Sequence, residues 1–316
     1  MTDWQPGASL DTLRMRAALL ASIRNFFAAR NILEVETPLL APTTGTDIYI
    51  QSYVVSDSSD QNNHAQFLQT SPEFAMKRLL AAGSGPIYQL CKAFRREENS
   101  TRHNSEFTML EWYRPGFSMF ELMDEVEALL QEVLECEAIT RISYRNLFLQ
   151  HLQFDPHQIK FEDLRELARA RIDFSSDDLS ATDYLQMLLA KFIEPALPEY
   201  CFIYDYPIAQ SALARIELDD TGAEVARRFE LFGNGMEIAN GYFELTDAAE
   251  QRKRFEHDNS KRKQLGLPEY PVDEKLLAAL ANGIPPCSGV ALGVDRLLML
   301  QLGLGDIRQA LSFPAE

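Results

Sequence analysis

The spacing of hydrophobic residues predicts helices and strands along the first third of the chain. Residues 10–30 carry apolar side chains at helical intervals, which predicts an amphipathic helix, and the apolar run 32–40, with proline near its end, predicts a strand. Residues 86–94 are apolar enough for a buried strand, and positions 107–113 alternate with period two, which predicts a second strand. The polar run 97–105 would then connect these two strands.

One face of the second strand combines hydrophobic side chains with a carboxylate. Phe107, Met109, Glu111 and Tyr113 lie two residues apart and therefore point to the same side. Burying an unpaired carboxylate costs on the order of several kcal/mol, so this face needs a cationic partner. A bound amine would supply that partner.

Residues 70–80 predict a helix with a carboxylate in its first turn. Ser71 is suited to the N-cap, Pro72 to the first helical position, and Glu73 then lies in the first turn. A glutamate at this place usually does no more than complement the helix dipole.

A strand of small residues followed by a helix is predicted at 288–300. Gly289, Ala291 and Gly293 would let the strand backbone approach a ligand, and Arg296 lies in the first turn of an apolar helix. Close packing of the strand against the helix explains the same pattern, so the pattern alone leaves both interpretations open.

Residues 230–245 predict a hairpin around a Gly-Asn-Gly turn at 233–235. If residues 233 and 234 form the turn centre, Glu230 faces Glu237 directly; if 234 and 235 do, the two glutamates are diagonal neighbours. Either register crowds two carboxylates, which is unfavourable unless a cation lies between them. Mg²⁺ that also contacts phosphate oxygens fits this description.

The remaining segments indicate a helical region and a polar loop. Residues 144–200 show helical periodicity with a linker at 173–180, and residues 51–65 are rich in Ser, Asp, Asn and Gln, which predicts a loop.

Composition narrows the class of protein. The chain has 316 residues, 46% of them hydrophobic, which is enough for one large domain or one domain with an insert. It shows no long apolar run and no signal-peptide core, and its four cysteines lie far apart without Cys-x-x-Cys spacing. We therefore expect a cytoplasmic protein without membrane contact, zinc or disulfides, and Mg²⁺ is the one metal we expect.

Net charge argues against a nucleic-acid partner. The chain has 30 Lys and Arg against 47 Asp and Glu, a formal charge of −17, whereas binding a nucleic acid through its phosphate backbone needs a basic face. The one dense basic candidate is residues 252–263, which a solvated helix face also explains.

These segments together resemble the class II aminoacyl-tRNA synthetases. Residues 94–113 resemble motif 2, and their residue pattern is similar to that of the lysyl branch. Residues 288–300 resemble motif 3, and the helix and strand at 10–40 resemble motif 1, the dimer-forming element. The resemblance implies an α+β fold, with an antiparallel sheet flanked by helices and a helical insert at about 144–200. We expect one catalytic domain over 1–316 that forms a homodimer. Only nine residues precede the first helix, so we expect no anticodon-binding domain.

The resemblance also implies an ATP site. The matching residues of the family make Arg95 the ligand of the ATP α-phosphate and substrate carboxylate, and Arg296 the partner of the γ-phosphate. A planar guanidinium binds phosphate in a bidentate way and stays charged at any working pH. The implied ATP-binding residues are Arg95, Glu97, Arg102, His103, Asn104, Phe107, Glu230, Glu237, Gly293 and Arg296, of which Glu230 and Glu237 would hold Mg²⁺.

For the amino acid, the resemblance implies a pocket that accepts two ammonium groups. Asn240 would hold the substrate carboxylate and Glu244 the distal ammonium. Lysyl-tRNA synthetases usually have glycine where this chain has Ala291, and this departure predicts a preference for β-lysine over α-lysine. The implied substrate-binding residues are Ser71, Glu73, Glu111, Tyr113, Asn240, Glu244 and Ala291.

Within this family, the resemblance is to lysyl-tRNA synthetase paralogues that attach (R)-β-lysine to a lysine of elongation factor P. It implies ATP-dependent formation of an aminoacyl adenylate, followed by transfer to a protein amine. Two alternatives remain open: a stand-alone enzyme that charges tRNA or another acceptor, and a non-catalytic paralogue that senses an amino acid. The second should have lost site residues, whereas both arginines and both Mg²⁺ carboxylates are present.

Overall fold

The computed structural model divides the chain into two compact units. The first unit comprises Met1–Glu137 with Leu245–Glu316, and the second comprises Ala138–Glu244. Glu97 and most of the predicted linker at 173–180 lie outside the described residues. The described residues are 4–56, 65–96, 99–134, 136–173 and 179–315.

The α-helices are numbered along the chain. No helix among the described residues is long and apolar enough to cross a membrane. The helices are α1 (Leu10–Ala29), α2 (Glu73–Ala81), α3 (Met119–Leu134), α4 (Tyr144–Leu152), α5 (Phe161–Arg171), α6 (Ala181–Leu188), α7 (Ala248–Gln264), α8 (Glu274–Asn282) and α9 (Val294–Leu302).

The strands are numbered in the same way. They are β1 (Leu33–Glu34), β2 (Leu40–Ala41), β3 (Val54–Val55), β4 (Gln66–Leu68), β5 (Ile87–Phe94), β6 (Glu106–Pro115), β7 (Thr140–Ser143), β8 (Tyr200–Tyr206), β9 (Ile216–Leu218), β10 (Glu224–Gly233), β11 (Met236–Phe243) and β12 (Cys287–Gly293).

In the first unit, the main sheet places β6 between β5 and β12. β6 pairs antiparallel with both neighbours, and β1 pairs with β5 in parallel. Helices α1, α3 and α9 contact this sheet. In the core, the ring of Phe27 stacks on Tyr88 at 4.3 Å and meets the edge of Trp112 at 5.3 Å. Strands β2, β4 and β3 form a separate small antiparallel sheet.

In the second unit, β10 lies between β11 and β8 and pairs antiparallel with both, while β7 pairs with β8 in parallel. β9 also pairs with β10. Helices α4 to α6 lie in the region predicted as a helical insert, and their apolar faces share one core with the strands. In this core the ring of Tyr144 stacks on Phe148 at 4.6 Å. The division of the chain into one domain with an insert stays a prediction.

The predicted α+β class is confirmed, because both units combine helices with largely antiparallel sheets. The strands predicted at 86–94 and 107–113, and the strand and helix at 288–300, are also confirmed. The single strand predicted at 32–40 is wrong: two-residue strands occur at its ends, and Pro38, which has no N–H to donate, lies between them. The predicted loop at 51–65 contains β3.

Candidate active site

Glu111 lies at the centre of a buried polar cluster in the first unit. It is 2% exposed, and both of its carboxylate oxygens accept hydrogen bonds: Oε2 from the Ser71 hydroxyl and Oε1 from the Tyr113 hydroxyl, each at 2.7 Å. Burial raises the pKa of Glu111 to about 7, and the charge of Glu73 raises it further. The structure thus brings together four residues predicted from sequence to bind the amino acid: Ser71, Glu73, Glu111 and Tyr113.

The pairing of β12 with β6 places small residues on the same face as this cluster. Ala291 lies opposite Glu111, Gly289 opposite Tyr113, and Gly293 opposite Met109. Directly opposed residues in an antiparallel pair have Cβ atoms about 5 Å apart on one side of the sheet. The residues that lie opposite the buried carboxylate and its neighbours on β6 therefore have little or no side chain.

Lys77 belongs to this cluster, although the sequence analysis missed it. Its ammonium donates to Glu73 Oε1 at 2.6 Å, and its side chain is 2% exposed. The i, i+4 spacing of the two residues on α2 was the available signal, but such pairs are usually solvated. α2 begins one residue later than predicted, with Pro72 at the cap, and Ser71 Oγ accepts from the Glu73 amide at 3.0 Å.

Arg95 and Phe107 come together across the start of the β5–β6 connection. Arg95 directly follows β5, and its guanidinium carbon lies 5.1 Å from the centre of the Phe107 ring. The Arg95 amide donates to the carbonyl of Ser105 at 2.9 Å, which closes the base of the connecting loop. The guanidinium of Arg95 thus lies beside an aromatic ring at the point where β5 ends.

The rest of this loop contacts the start of α9. Arg296 Nε donates to the Arg102 carbonyl at 3.2 Å, so two predicted phosphate ligands are neighbours. His103 Nδ1 and Ser100 Oγ lie 2.9 Å apart. Gly293 precedes α9, and a Cβ added there would meet the Arg296 side chain at an ordinary contact distance of 3.6 Å.

The side chain of Asn104 is buried and forms hydrogen bonds within the protein. Its amide nitrogen donates to the Glu106 carbonyl at 2.5 Å, and its oxygen accepts from the Ala315 amide at 2.9 Å. These contacts fix the loop to the C-terminal segment. Its predicted contact with ATP remains a prediction.

Asp295 anchors the start of α9 to the other elements of the first unit. Its carboxylate accepts from Arg16 of α1 at 2.6 Å and from the Thr108 amide of β6 at 2.7 Å. Arg16 also donates to the Thr108 hydroxyl at 2.7 Å. The segments that resemble the three motifs are thus tied together beside Arg296.

In the second unit, the hairpin of β10 and β11 adopts one of the two predicted registers. Asn234 and Gly235, both with positive φ, form the turn centre, and a bulge follows Leu231. Glu230 consequently pairs with Asn240, and the negative charge of Glu237 raises the pKa of Glu230. The predicted crowding of the two carboxylates is therefore present.

Arg228 is the residue that sequence reasoning missed in this hairpin. Its guanidinium forms an ion pair with Glu230 and donates to Asn240 Oδ1 at 3.2 Å. The Tyr206 hydroxyl donates to the other oxygen of Glu230 at 2.7 Å. Burial nevertheless raises the pKa of Glu230 to about 7. Among the described residues, no three His, Cys, Asp or Glu side chains are grouped to hold a metal, so Mg²⁺ here would need phosphate or water oxygens as well.

Glu244 directly follows β11 and is 1% exposed. It forms an isolated bridge with Ala214 in the same unit. A carboxylate this deeply buried needs compensation by cations or donors. Its predicted contact with the distal ammonium stays a prediction.

The basic run on α7 does not form a free basic surface. Arg252 pairs with Glu274 at 2.5 Å, Arg254 with Glu250 at 3.2 Å, and Lys263 with Glu269 at 3.8 Å. Arg262 is 0% exposed, so the interpretation of this run as a solvated helix face is wrong for that residue.

Comparison with known proteins gives consistent matches over the whole chain. The profile of the tRNA synthetases class II (D, K and N) matches residues 2–316. The chain is 50% identical over 322 residues to the elongation factor P–(R)-β-lysine ligase of Proteus mirabilis, with 99% of this chain and 98% of the relative covered. Ligases of the same name from Edwardsiella ictaluri and Salmonella typhi are each 48% identical, with 100% and 99% of this chain covered and 98% of each relative.

Proposed function

The chain belongs to the class II tRNA synthetases of the D, K and N group, and on that premise we propose that it is an ATP-dependent ligase that transfers (R)-β-lysine to a lysine side chain of elongation factor P. Relatives named for this activity match the chain over almost their full length. The observation that carries the choice of amino acid is the position of Ala291 opposite the buried Glu111. Family and geometry thus favour the same substrate.

The cluster around Glu111 is suited to bind an ammonium group of the substrate. An ammonium beside this carboxylate lowers its pKa from about 7, because the positive charge stabilises the ionised form. Ser71 and Tyr113 fix the plane of this carboxylate, and Lys77 fixes that of Glu73. The amino acid would therefore be oriented by groups that these hydrogen bonds already hold in place.

The loop after β5 is suited to bind ATP. Phe107 offers a ring for the adenine, and Arg95 lies beside it. Arg102 and Arg296 are neighbours at the start of α9, where His103 adds a further donor for the outer phosphates. Cationic groups placed around the phosphates neutralise charge as diphosphate leaves.

Mg²⁺ fits the hairpin of the second unit. Glu230 and Glu237 offer two carboxylates, and each oxygen of Glu230 retains a lone pair besides the one used by Arg228 or Tyr206. The ion would neutralise phosphate charge and orient ATP. The positive charge of Arg228 opposes the rise that burial causes in the pKa of Glu230, and its guanidinium holds Asn240 in place for the substrate carboxylate.

The reaction has two steps. A carboxylate oxygen of the amino acid attacks the α-phosphorus of ATP, the bond to the oxygen bridging the β-phosphorus breaks, and diphosphate leaves. The ε-amine of the acceptor lysine then attacks the acyl carbon of the adenylate, an amide forms, and AMP leaves while the amine loses a proton. Neither step needs a covalent enzyme nucleophile, so positioning and charge neutralisation carry the catalysis.

We propose elongation factor P rather than tRNA as the acceptor. The chain has a formal charge of −17, and much of the basic run on α7 is paired with carboxylates. We also propose a homodimer formed through α1 and β1, where Leu33 is 56% exposed, and a cytoplasmic location, where ATP is available.

One assay tests the proposal. The protein is incubated with ATP, Mg²⁺ and each lysine isomer, together with either elongation factor P or total tRNA, and the acylated product is identified by mass spectrometry. We expect acylated elongation factor P, with (R)-β-lysine as the preferred donor. Acylation of tRNA alone would support the stand-alone enzyme, and absence of AMP formation with every isomer would support a non-catalytic paralogue.

A further inference from the structure

Arg262 is a fully buried cation whose hydrogen bonds go to neutral oxygens of neighbouring segments. It lies on α7 and is 0% exposed. Its guanidinium donates to the carbonyls of Pro268 and Asp47 at 2.7 Å and of Ile50 at 3.3 Å. Its guanidinium carbon also lies 4.1 Å from the centre of the Tyr270 ring. Burying an arginine is costly unless its donors are satisfied, and the planar fork of Arg262 satisfies them on several oxygens at once.

Arg262 donates hydrogen bonds to the segment 43–52, which we call the clamped loop. Three further contacts hold this loop to α7 and the residues after it. They are Thr43 Oγ1 to Asp273 Oδ2 at 2.5 Å, Thr46 Oγ1 to Asp258 Oδ2 at 2.9 Å, and the Ser52 amide to the Tyr270 hydroxyl at 3.0 Å. Arg262 contacts the loop between these points, where the loop offers backbone carbonyls.

The clamped loop contacts the proposed nucleotide site through Gln51. The Arg96 amide donates to the Gln51 carbonyl at 2.7 Å, and Arg262 reaches the side-chain oxygen of the same glutamine at 3.4 Å. Arg96 directly follows Arg95, whose own amide is held by Ser105 on the opposite side. The backbone that carries Arg95 is thus fixed between the base of its own loop and the clamped loop.

We propose that Arg262 is a positioning residue for ATP: it fixes the clamped loop, whose Gln51 carbonyl fixes the Arg96 amide and so directs Arg95 to the nucleotide phosphate. This inference rests on the proposed function, because that function assigns Arg95 to the ATP phosphate. Arginine suits the task because its planar fork donates to several carbonyls at once, whereas a lysine ammonium acts as a point charge. A displacement of about 1 Å at a reacting group can cost about 100-fold in rate.

The kinetic test compares Arg262→Met and Arg262→Lys with Arg252→Met, a control on the exposed side of the same helix. We expect Arg262→Met to raise the KM for ATP in diphosphate exchange by about tenfold or more, while the KM for the amino acid changes by less than about twofold. Arg262→Lys should show most of this effect, and the control none. A purely structural role would lower the thermal midpoint and the active fraction without a selective change in the KM for ATP, and that result overturns the proposal.

A second measurement does not depend on activity. Hydrogen–deuterium exchange followed by mass spectrometry should show faster exchange in Arg262→Met at residues 47–52 and 94–96, and unchanged exchange in β12. Unchanged exchange at 94–96 contradicts the link to Arg95. If the wild type shows no diphosphate exchange with any lysine isomer, the proposed function fails. Hydrogen–deuterium exchange at 94–96 then decides by itself whether Arg262 fixes the backbone of Arg95.

Tyr270→Phe covers the case in which Arg262→Met does not fold. It removes the hydroxyl that accepts from the Ser52 amide but keeps the ring beneath Arg262. We expect the same selective rise in the KM for ATP at a smaller size, about twofold to fivefold, since only one neutral hydrogen bond is lost. A KM for ATP equal to that of the wild type in Tyr270→Phe overturns the proposal in that case.

Discussion

Ala291 in β12 lies directly opposite Glu111 in β6. The two side chains therefore share one face of the sheet, where the carboxylate is held by Ser71 and Tyr113. The methyl group of Ala291 occupies space beside the group that we assign to a substrate ammonium. A substitution of one methyl at this position should thus change which lysine isomer fits.

We expect the wild type to prefer (R)-β-lysine over L-α-lysine by about tenfold or more in kcat/KM, and Ala291→Gly to reduce that ratio. A methyl in a tight pocket typically costs about 1–3 kcal/mol for a ligand that overlaps it, and β-lysine moves its amino group one carbon along. Diphosphate exchange with each isomer measures the ratio.

Ala41→Gly in β2 controls for the general cost of glycine in a strand, about 0.5–1 kcal/mol. If both isomers react equally well with the wild type and with Ala291→Gly, Ala291 serves only packing and the substrate assignment loses its support from this residue.

The second prediction concerns pH. Because burial raises the pKa of Glu111 to about 7, this carboxyl is largely protonated below pH 7 in the substrate-free protein, and the substrate ammonium must displace that proton. We expect the KM for the amino acid to fall as pH rises from about 6 to about 8. The amino groups of β-lysine are alkylammonium groups, which stay charged over this range.

Glu111→Gln supplies the comparison for the pH profile. It keeps the shape of the side chain but carries no charge, so the KM should be higher at every pH and should no longer fall between pH 6 and 8. A profile in Glu111→Gln that parallels the wild type would assign the pH dependence to another group.

The third prediction concerns the two arginines assigned to ATP. We expect Arg95→Ala and Arg296→Ala each to reduce diphosphate exchange about 100-fold or more, because each removes a donor that stabilises charge in the transition state. Circular dichroism should show an intact fold. Arg308→Ala, at an exposed arginine paired with Asp306, should keep normal exchange. Near-normal exchange in folded Arg95→Ala protein contradicts the active-site assignment.

Much of the candidate site was predictable because local patterns determine it. Period-two alternation placed Glu111 and Tyr113 on one face, and the structure keeps them there, joined by a hydrogen bond. The strand of small residues at 288–300 was predicted together with the helix that follows it. The strand with which it pairs could not be predicted, because the pairing of residues 111 and 291 joins distant parts of the sequence.

The buried cations could not be predicted in the same way. Lys77 and Arg262 are buried, and the side chain of Arg228 is 15% exposed. Lysine and arginine are mostly exposed residue types, so the burial of these three depends on partners that only the fold brings near. The hairpin register also escaped prediction, because a Gly-Asn-Gly sequence permits two turn centres. Positive φ at both Asn234 and Gly235 selects one of them.

The last prediction concerns Mg²⁺. Glu237→Gln should raise the Mg²⁺ concentration needed for half-maximal diphosphate exchange by about tenfold or more, the scale on which loss of a partner in a metal site weakens binding. Glu230→Gln should act in the same direction, but it also removes the counter-charge of Arg228 and so should lower the thermal midpoint.

Tyr206→Phe separates the two effects, since it frees one oxygen of Glu230 without removing the charge. We expect it to leave the Mg²⁺ dependence within about threefold of the wild type. Glu224→Gln, at the exposed start of β10, serves as the control. An unchanged Mg²⁺ dependence in both Glu237→Gln and Glu230→Gln would make these glutamates structural and would move the metal to another site.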